Sequence, residues 1–582
     1  MLDSSALNNS PKHHRENNVW LALSSAVAIT VCLFGHLGAM GLVGPDEPRY
    51  AWIARAMAQT GDWVTPRLYG QPWFEKPILY YWTAAIGFRM HFPAEWAARL
   101  PSAFAALAAA VAIGWLAWKF YGATAPLAWN PAILAPLIFS TSVAAIGFSR
   151  AATPDMLFSA CIALAMASAA SILNANGALR SSAPNAQVSP SSPASPRQAR
   201  SPWRDSLPCA SFGIFLGLAV LAKGPAAIIL AAGALGLWAI VTKRWRAAFR
   251  AAHPLAIVAF CVVALPWYIL CARRNPDFIR VFIFQHNFER YLTPLFQHRQ
   301  PFWFFIPITL LAILPWTALL WPATRDQLQL WREKSLSDSP AFFFFCWAIF
   351  PVLFFSLSQS KLPSYILPAV PPLALLLAIQ LAHIVRPQTS AENASESVHE
   401  IKGFVAAGIA LGVTWIILGI VPLFWIKRLP QAARNASSHA ILAAVFIGIA
   451  GGLAVAILAL LRKNAFVLVS ILLAVTLTEI AGSQILPALD PLLSARPHAE
   501  LLRRDLHPDR IFTLDLPRSW DYGLAFYLGR ELPEWSPDNP DAALVLTTPA
   551  GLAKMQKFGR FRGSLDEEYQ GILFVPAFPA PR

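Results

Sequence analysis

The sequence predicts an α-helical polytopic membrane protein with about 13 transmembrane helices and a small C-terminal α/β domain. Three observations carry that prediction. Of 582 residues, 56% are hydrophobic and only 13% charged, where a soluble protein of this length is nearer a quarter charged. Apolar runs of span length recur from Val19 to Leu486, each matching the ~30 Å hydrocarbon core at about 1.5 Å per residue. Beyond residue 486 the composition changes: charges return, and short strand-like and helix-like segments alternate.

Residues 1–18 form a polar N-terminal tail, expected in the cytoplasm, and the first apolar run is long enough to be a retained anchor rather than a cleaved signal. Spans are expected near 19–42, 101–118, 126–148, 156–173, 208–222, 225–241, 254–272, 301–321, 340–358, 363–385, 403–426, 439–461 and 464–486. The stretch 208–241 would make one helix of about 50 Å, too long for the core. Lys223-Gly224-Pro225 divides it in two. Lys12 and Arg15, Arg180–Arg204, Lys243-Arg244-Trp245-Arg246, Arg325–Lys334 and Arg462-Lys463 then fall on one side, which the positive-inside rule assigns to the cytoplasm. The loops 43–100 and 273–300 and the region 487–582 face the other way.

The net charge of +15 is thus mostly a topology signal, and no nucleic-acid partner is implied. The six cysteines lie in or beside apolar runs without a C-x-x-C pair, so neither a disulfide framework nor a thiolate metal site is indicated. The Ser-, Pro- and Ala-rich stretch 174–207 reads as a disordered cytoplasmic linker. In the first outer loop Tyr50, Ile53, Ala54 and Met57 recur at helical spacing opposite Arg49, Arg55 and Gln59, giving an interfacial helix ended by Gly61-Asp62. A second interfacial helix follows Pro77, over Ile78–Met90. In the C-terminal region Arg510–Leu516, Ala542–Thr547 and Gly571–Val575 read as strands and Glu500–Leu506 as helix.

The charged residues of the outer face carry the chemistry. Asp46 and Glu47 stand at a helix start, where an N-cap and a favourable dipole interaction compete with a role as carboxylates that accept a proton or orient an acceptor. Thr153-Pro154-Asp155 has the same two readings, with Arg150 placed to neutralise Asp155. Arg49, Lys76, Lys223, Arg290 and Lys361 all fall at outer span ends or in outer loops, against the positive-inside trend. An anionic ligand explains that excess better than five snorkelling side chains do. Glu75 and His286 are a possible metal pair. There is no P-loop, no H-E-x-x-H and no G-x-G-x-x-G opening a helix, and no D-x-D pair of the kind that holds a metal against a nucleotide sugar.

With Asp46-Glu47-Pro48-Arg49-Tyr50 and Gly61-Asp62-Trp63, Phe74-Glu75-Lys76-Pro77-Ile78-Leu79-Tyr80-Tyr81-Trp82, Leu221-Ala222-Lys223-Gly224-Pro225 and Ser360-Lys361-Leu362-Pro363-Ser364-Tyr365-Ile366-Leu367-Pro368, the chain resembles the bacterial lipid A aminoarabinose transferases and their protein O-mannosyltransferase relatives. Gln285-His286-Asn287-Phe288-Glu289-Arg290 is a looser match. The likeness covers about residues 19–385. It implies a GT-C fold over 19–486, a periplasmic domain over 487–582, and residence in the bacterial inner membrane with the active site facing the periplasm. It also implies an inverting transfer from a polyprenyl (undecaprenyl) phosphate sugar to a lipid A-type glycolipid or another periplasmic acceptor, including a protein hydroxyl.

By the same resemblance Lys76 and Arg290, helped by Arg49 and Lys223, hold the donor phosphate. Asp46 and Asp155, with Glu47 beside them, are the carboxylates at the reacting centre, and Lys361 and Tyr365 line the lipid-phosphate cavity. Glu75 and His286 match a position for a zinc-like divalent metal in relatives. No nucleotide cofactor is implied. The competing class is a transporter or flippase of an anionic polyprenyl lipid, which calls for ionisable groups near the midplane and internal repeats; the charges here concentrate at span ends, and no repeat is evident.

Overall fold

The computed structural model describes residues 11–122, 127–175, 178–179, 202–289, 300–325, 339–385, 394–505, 511–536, 544–557, 567–569 and 572–576. It is helical throughout its apolar part, because a backbone in hydrocarbon must satisfy its own hydrogen bonds. Eight helices among the described residues are long and apolar enough to cross a bilayer, or up to 10 if each of two bent pairs counts as one. Shorter apolar helices occupy Asn18–Phe34, Ala226–Thr242 and Pro340–Ser356.

In chain order the elements that build the site are α1 (Pro11–Phe34), α2 (Asp46–Thr60), α3 (Leu79–Arg89), α4 (Ala94–Tyr121), α5 (Pro131–Ser140), α6 (Val143–Ser149) and α7 (Asp155–Ala175). They are followed by α8 (Pro202–Lys223), α9 (Ala226–Thr242), α10 (Trp245–Ala248) and α11 (Pro254–Arg274). Between α8 and α9 the chain breaks at Gly224, whose φ of +102° is a conformation that favours glycine. The expected division of 208–241 is therefore present.

Two segments expected as single spans are bent. α5 and α6 meet at 61°, where Ser142 accepts from Ala145 N and restarts the helix. Phe302–Ala312 and Trp316–Arg325 meet at 110°. The last long apolar helix extends over Ala465–Leu493, past the expected end at 486. Residues 401–426 and 431–460 pack closely through small residues: a Cβ built on Gly448 would stand 2.7 Å from Gly419 Cα, so the two backbones nearly touch.

The expected interfacial helix is α2, and Gly61 ends it at φ +71°, the left-handed cap that glycine provides. Its placement differs from expectation. Tyr50, Ile53, Ala54 and Met57 are buried as expected, but so is Arg49 at 8% exposure, because α2 is covered on a second side by the C-terminal region rather than lying open on a membrane surface.

That region contains a four-stranded sheet in the order β3-β4-β6-β5; the loop pair β1 (Arg67–Leu68) and β2 (Gln71–Pro72) precedes it in the chain. β3 (Ile511–Leu514) and β4 (Leu544–Thr547) are parallel, while β6 (Ile572–Pro576) runs antiparallel to β4 and to β5 (Glu567–Tyr569). The strand β5 was not expected; the expected helix extends over Arg496–Asp505. The parallel β3–β4 pair needs a crossover, and the helix Arg518–Leu528 lies between them in the chain. It also packs on α2. Most of 174–207 lies outside the described residues.

A polar seam joins the C-terminal region to the loop after α1. The Tyr527 hydroxyl accepts from Leu42 N (2.7 Å) and donates to Glu95 Oε1 (2.8 Å). Arg496 donates to Asp490, Glu95 and the Gly38 carbonyl, and Gly41 N donates to Asp490 Oδ1 at 2.7 Å. Tyr527→Phe leaves a buried amide and a carboxylate short of a partner, a loss of about 1–3 kcal/mol. The expected result is a lower melting temperature and earlier proteolytic release of the region after Leu493; an unchanged digestion pattern counts against this seam as the docking contact.

Candidate active site

Residues 43–47 set the site, and the first notable feature is what Glu47 does. It is 5% exposed. Its Oε2 accepts from Val43 N (2.8 Å) and from Arg99 Nη2 (2.8 Å), and its Oε1 accepts from Ala152 N (2.7 Å). Arg99, on α4, also donates to the carbonyls of Leu37, Met40 and Gly41, each at 2.7 Å. Ser102, one turn on, donates to Ala151 O at 2.6 Å. Glu47 therefore ties the start of α2 to α4 and to the turn that opens α7. This corrects the expectation of a second catalytic carboxylate: both oxygens are occupied by buried donors, and no face is open to a substrate.

Asp46 is one residue away, about 100° around the helix, and faces the other way. Its side chain is 50% exposed, where that of Glu47 is 6% exposed. It does not cap α2, whose N-cap is Pro45; instead it accepts from Arg49 Nη2 one turn later. Arg49 also pairs with Glu75 Oε2 at 3.0 Å, and Glu75 Oε1 lies 3.8 Å from Lys76 Nζ. The Arg49 guanidinium carbon is 5.2 Å from the Tyr50 ring centre, 5.4 Å from Trp73 and 5.6 Å from Tyr522. Three rings at that distance favour a cation and fix its plane.

A second pair lies at the start of α7. Asp155 Oδ1 accepts from Lys223 Nζ at the end of α8. The Lys223 ammonium is 4.9 Å from the Tyr365 ring centre and 5.6 Å from Phe158. Arg150, expected to neutralise Asp155, instead donates to the carbonyls of Cys32 and Val31 on α1. The two pairs meet through Lys76, which is within electrostatic reach of both Asp46 and Asp155. The structure thus brings Asp46, Arg49, Glu75, Lys76, Asp155, Lys223 and Tyr365 to one place.

Other expected residues are elsewhere or undescribed. Lys361 is 7% exposed and turns back on its own loop, donating to Ser358 O at 2.5 Å. Arg290 lies outside the described residues, as does the side chain of His286. No group of three or more potential metal ligands occurs among the described residues. Glu75 is engaged by Arg49 and Lys76, so a divalent cation there would have to displace or repel two positive charges. The expected metal site is thus not formed among the described residues.

Sequence reasoning missed Arg99 and Tyr522. Arg99 had a signal: it is an arginine within an otherwise apolar helix, a placement that needs a partner. Tyr522, more than 400 residues from Arg49 in the chain, had none. Beside Glu75, a cavity of about 490 Å³ is lined by Trp73, Arg274, Asn275, Asp277 and Arg280 among others. Arg274 pairs with Asp62 at 3.3 Å and Arg280 with Asp277 at 3.0 Å.

Partial burial pushes the Asp46 carboxyl above the ordinary carboxylate range; Arg49 and Lys76 oppose the shift, while Glu75 and Asp155 add to it. The sign follows. A raised acid pKa means that Asp46 takes up a proton before an exposed aspartate (about 3.9) does as pH falls. Any activity that needs its carboxylate should decline along an acid limb centred above that value. A profile flat down to the ordinary aspartate range would remove Asp46 from the chemistry.

The family described as dolichyl-phosphate-mannose-protein mannosyltransferase matches residues 18–282. The undecaprenyl phosphate-alpha-4-amino-4-deoxy-L-arabinose arabinosyl transferase of Edwardsiella ictaluri is 30% identical over 65% of this chain and 63% of its own. That of Erwinia tasmaniensis is 31% identical over 69% and 66%. The alignments therefore span just under two thirds of these relatives' length. The crystal structure of ArnT from Cupriavidus metallidurans bound to undecaprenyl phosphate superimposes with a TM-score of 0.73 over 97% of this chain and 100% of that one, at 21% identity. At that identity the likeness speaks to fold. With fold, family match and relatives in agreement, the chain belongs to the family of ArnT-like membrane glycosyltransferases of the GT-C fold.

Proposed function

We propose that the chain transfers a sugar from an undecaprenyl phosphate donor to a lipid A-type glycolipid, at the periplasmic face of the bacterial inner membrane and with inversion. The carrying observation is the cluster itself: a half-open carboxylate, Asp46, among Arg49, Lys76 and the Asp155–Lys223 pair. The names of the relatives favour 4-amino-4-deoxy-L-arabinose as the sugar. We take the bent pairs and shorter helices as spans too, about 13 crossings in all, with residues 487–582 as a periplasmic α/β domain on the same side as the site, over the membrane module 19–486.

In the reaction the bond between the anomeric carbon and the phosphate oxygen breaks, releasing undecaprenyl phosphate. An acceptor oxygen forms the new bond from the opposite face. Charge grows on the departing phosphate, so cations stabilise the transition state more than the ground state. Lys76 and Arg49 take that role, with Lys223 and Arg290 as further donors and Tyr365 beside Lys223. Asp46 orients an acceptor phosphate that is already anionic, or takes the proton of an acceptor hydroxyl. Asp155 holds Lys223 and, through charge, Lys76.

The test is purified protein in detergent with undecaprenyl phosphate aminoarabinose and lipid A, followed by mass spectrometry. The reading expects release of undecaprenyl phosphate together with a lipid A product heavier by one aminopentose. It fails if donor binds and no product forms with lipid A, with other glycolipids or with peptides.

A further inference from the structure

A groove between α8, α9 and α11 forms a cavity of about 390 Å³ that runs along α9 past Ile228, Ala231, Leu235 and Gly236 to Trp245 and Phe249 beyond its far end from Lys223. The helix α9 has 17 residues, so the Trp245 end of the groove is about 25 Å from the reacting cluster along its axis. The lining is apolar, with Phe212, Leu216, Ile228 and Leu235 on the walls and Trp245 and Phe249 at the mouth. Trp245 is 46% and Phe249 70% exposed. These two belong to Lys243-Arg244-Trp245-Arg246-Ala247-Ala248-Phe249-Arg250, a segment with four cations and no acid. Arg244 is committed to the Ala178 carbonyl at 2.7 Å. Lys243, Arg246 and Arg250 are exposed.

We propose that this groove is a specific site for an anionic phospholipid, with one acyl chain in the cavity and the phosphate held by Lys243, Arg246 and Arg250. Charge complementarity selects the occupant. A neutral or zwitterionic lipid gains from the apolar walls alone, whereas an anionic headgroup also meets three cations near a membrane surface. The exposed indole of Trp245 belongs at headgroup depth. The occupant is distinct from the polyprenyl donor, whose phosphate must lie at the opposite end of α9. The headgroup end of the site is therefore separate from the reacting cluster.

The experiment uses the full chain in detergent, mixed with phosphatidylglycerol or phosphatidylcholine of matched acyl chains and measured by native mass spectrometry. Retention of phosphatidylglycerol should exceed that of phosphatidylcholine by about tenfold. Replacing Lys243, Arg246 and Arg250 together by alanine should bring the two lipids level. Gly236→Phe tests the cavity separately: Gly236 lines it, and a Cβ built there meets nothing within 4 Å. The phenyl ring can therefore enter without moving the backbone, and retention of phosphatidylglycerol should fall to background. Melting temperature and elution volume show that both variants are folded. Equal retention of the two lipids by the parent protein overturns the proposal, as does parent-like retention of phosphatidylglycerol by Gly236→Phe.

Discussion

Lys76→Ala is expected to lower sugar transfer by about 10²- to 10³-fold, the usual loss when one preorganised donor to a developing anion is removed. Lys76 is within electrostatic reach of both Asp46 and Asp155, so its loss has a second consequence. Its positive charge favours the ionised form of Asp46, against burial. Without it Asp46 protonates at a higher pH, and the acid limb of the residual activity moves upward. A residue that only shaped the cleft would lower turnover without moving that limb. Lys76→Arg keeps the charge and should restore the limb while recovering only part of the rate, since the guanidinium is larger and planar. Turnover and acid limb both equal to the parent's in Lys76→Ala would exclude it from the phosphate clamp.

Much of this arrangement was legible in the sequence, and the failures have physical causes. The break at Gly224 and the end of α2 at Gly61 were readable because each depends on a local backbone requirement that glycine meets. The bends between α5 and α6 and after Ala312 were not, since hydropathy reports that a segment is apolar and nothing of its direction. Asp46 and Glu47 are adjacent carboxylates, and no local rule says which one stays half exposed and which meets Arg99. Arg150 is five residues from Asp155, yet the turn between α6 and α7 sends its guanidinium to α1 and leaves Asp155 to Lys223, 68 residues on. Sequence proximity suggested the wrong pair because the partner of a charge in a helical bundle is set by packing between helices. The likeness to aminoarabinose transferases assigned Asp155, Lys223 and Tyr365 three separate roles, and it is the packing of α7 and α8 that sets them side by side.

Glu47→Ala should be among the most damaging single substitutions in the membrane region. It leaves the Arg99 guanidinium, 3% exposed, without its carboxylate, and breaking a buried pair from one side costs about 3–5 kcal/mol. The amides of Val43 and Ala152 lose their acceptor as well. Replacing both Glu47 and Arg99 by leucine should not restore stability, although it removes both charges. Arg99 also serves three carbonyls before α2, and these stay buried without a donor. Thermal melting in detergent reads both results, and a double variant as stable as the parent would show that the junction holds by packing alone. Glu47→Gln is the informative mild change. Its amide oxygen can still accept from Arg99 and Val43 or from Ala152, though not from all three, so the protein should fold with the turn before Asp155 less firmly tied to α2. Asp46 and Asp155 then lose their fixed relation while the cations that bind the donor stay in place. The expected signature is a fall in kcat with little change in KM for the donor. A carboxylate acting directly on substrate would instead show the shifted acid limb that Asp46 governs, and Glu47→Gln should leave that limb where it is.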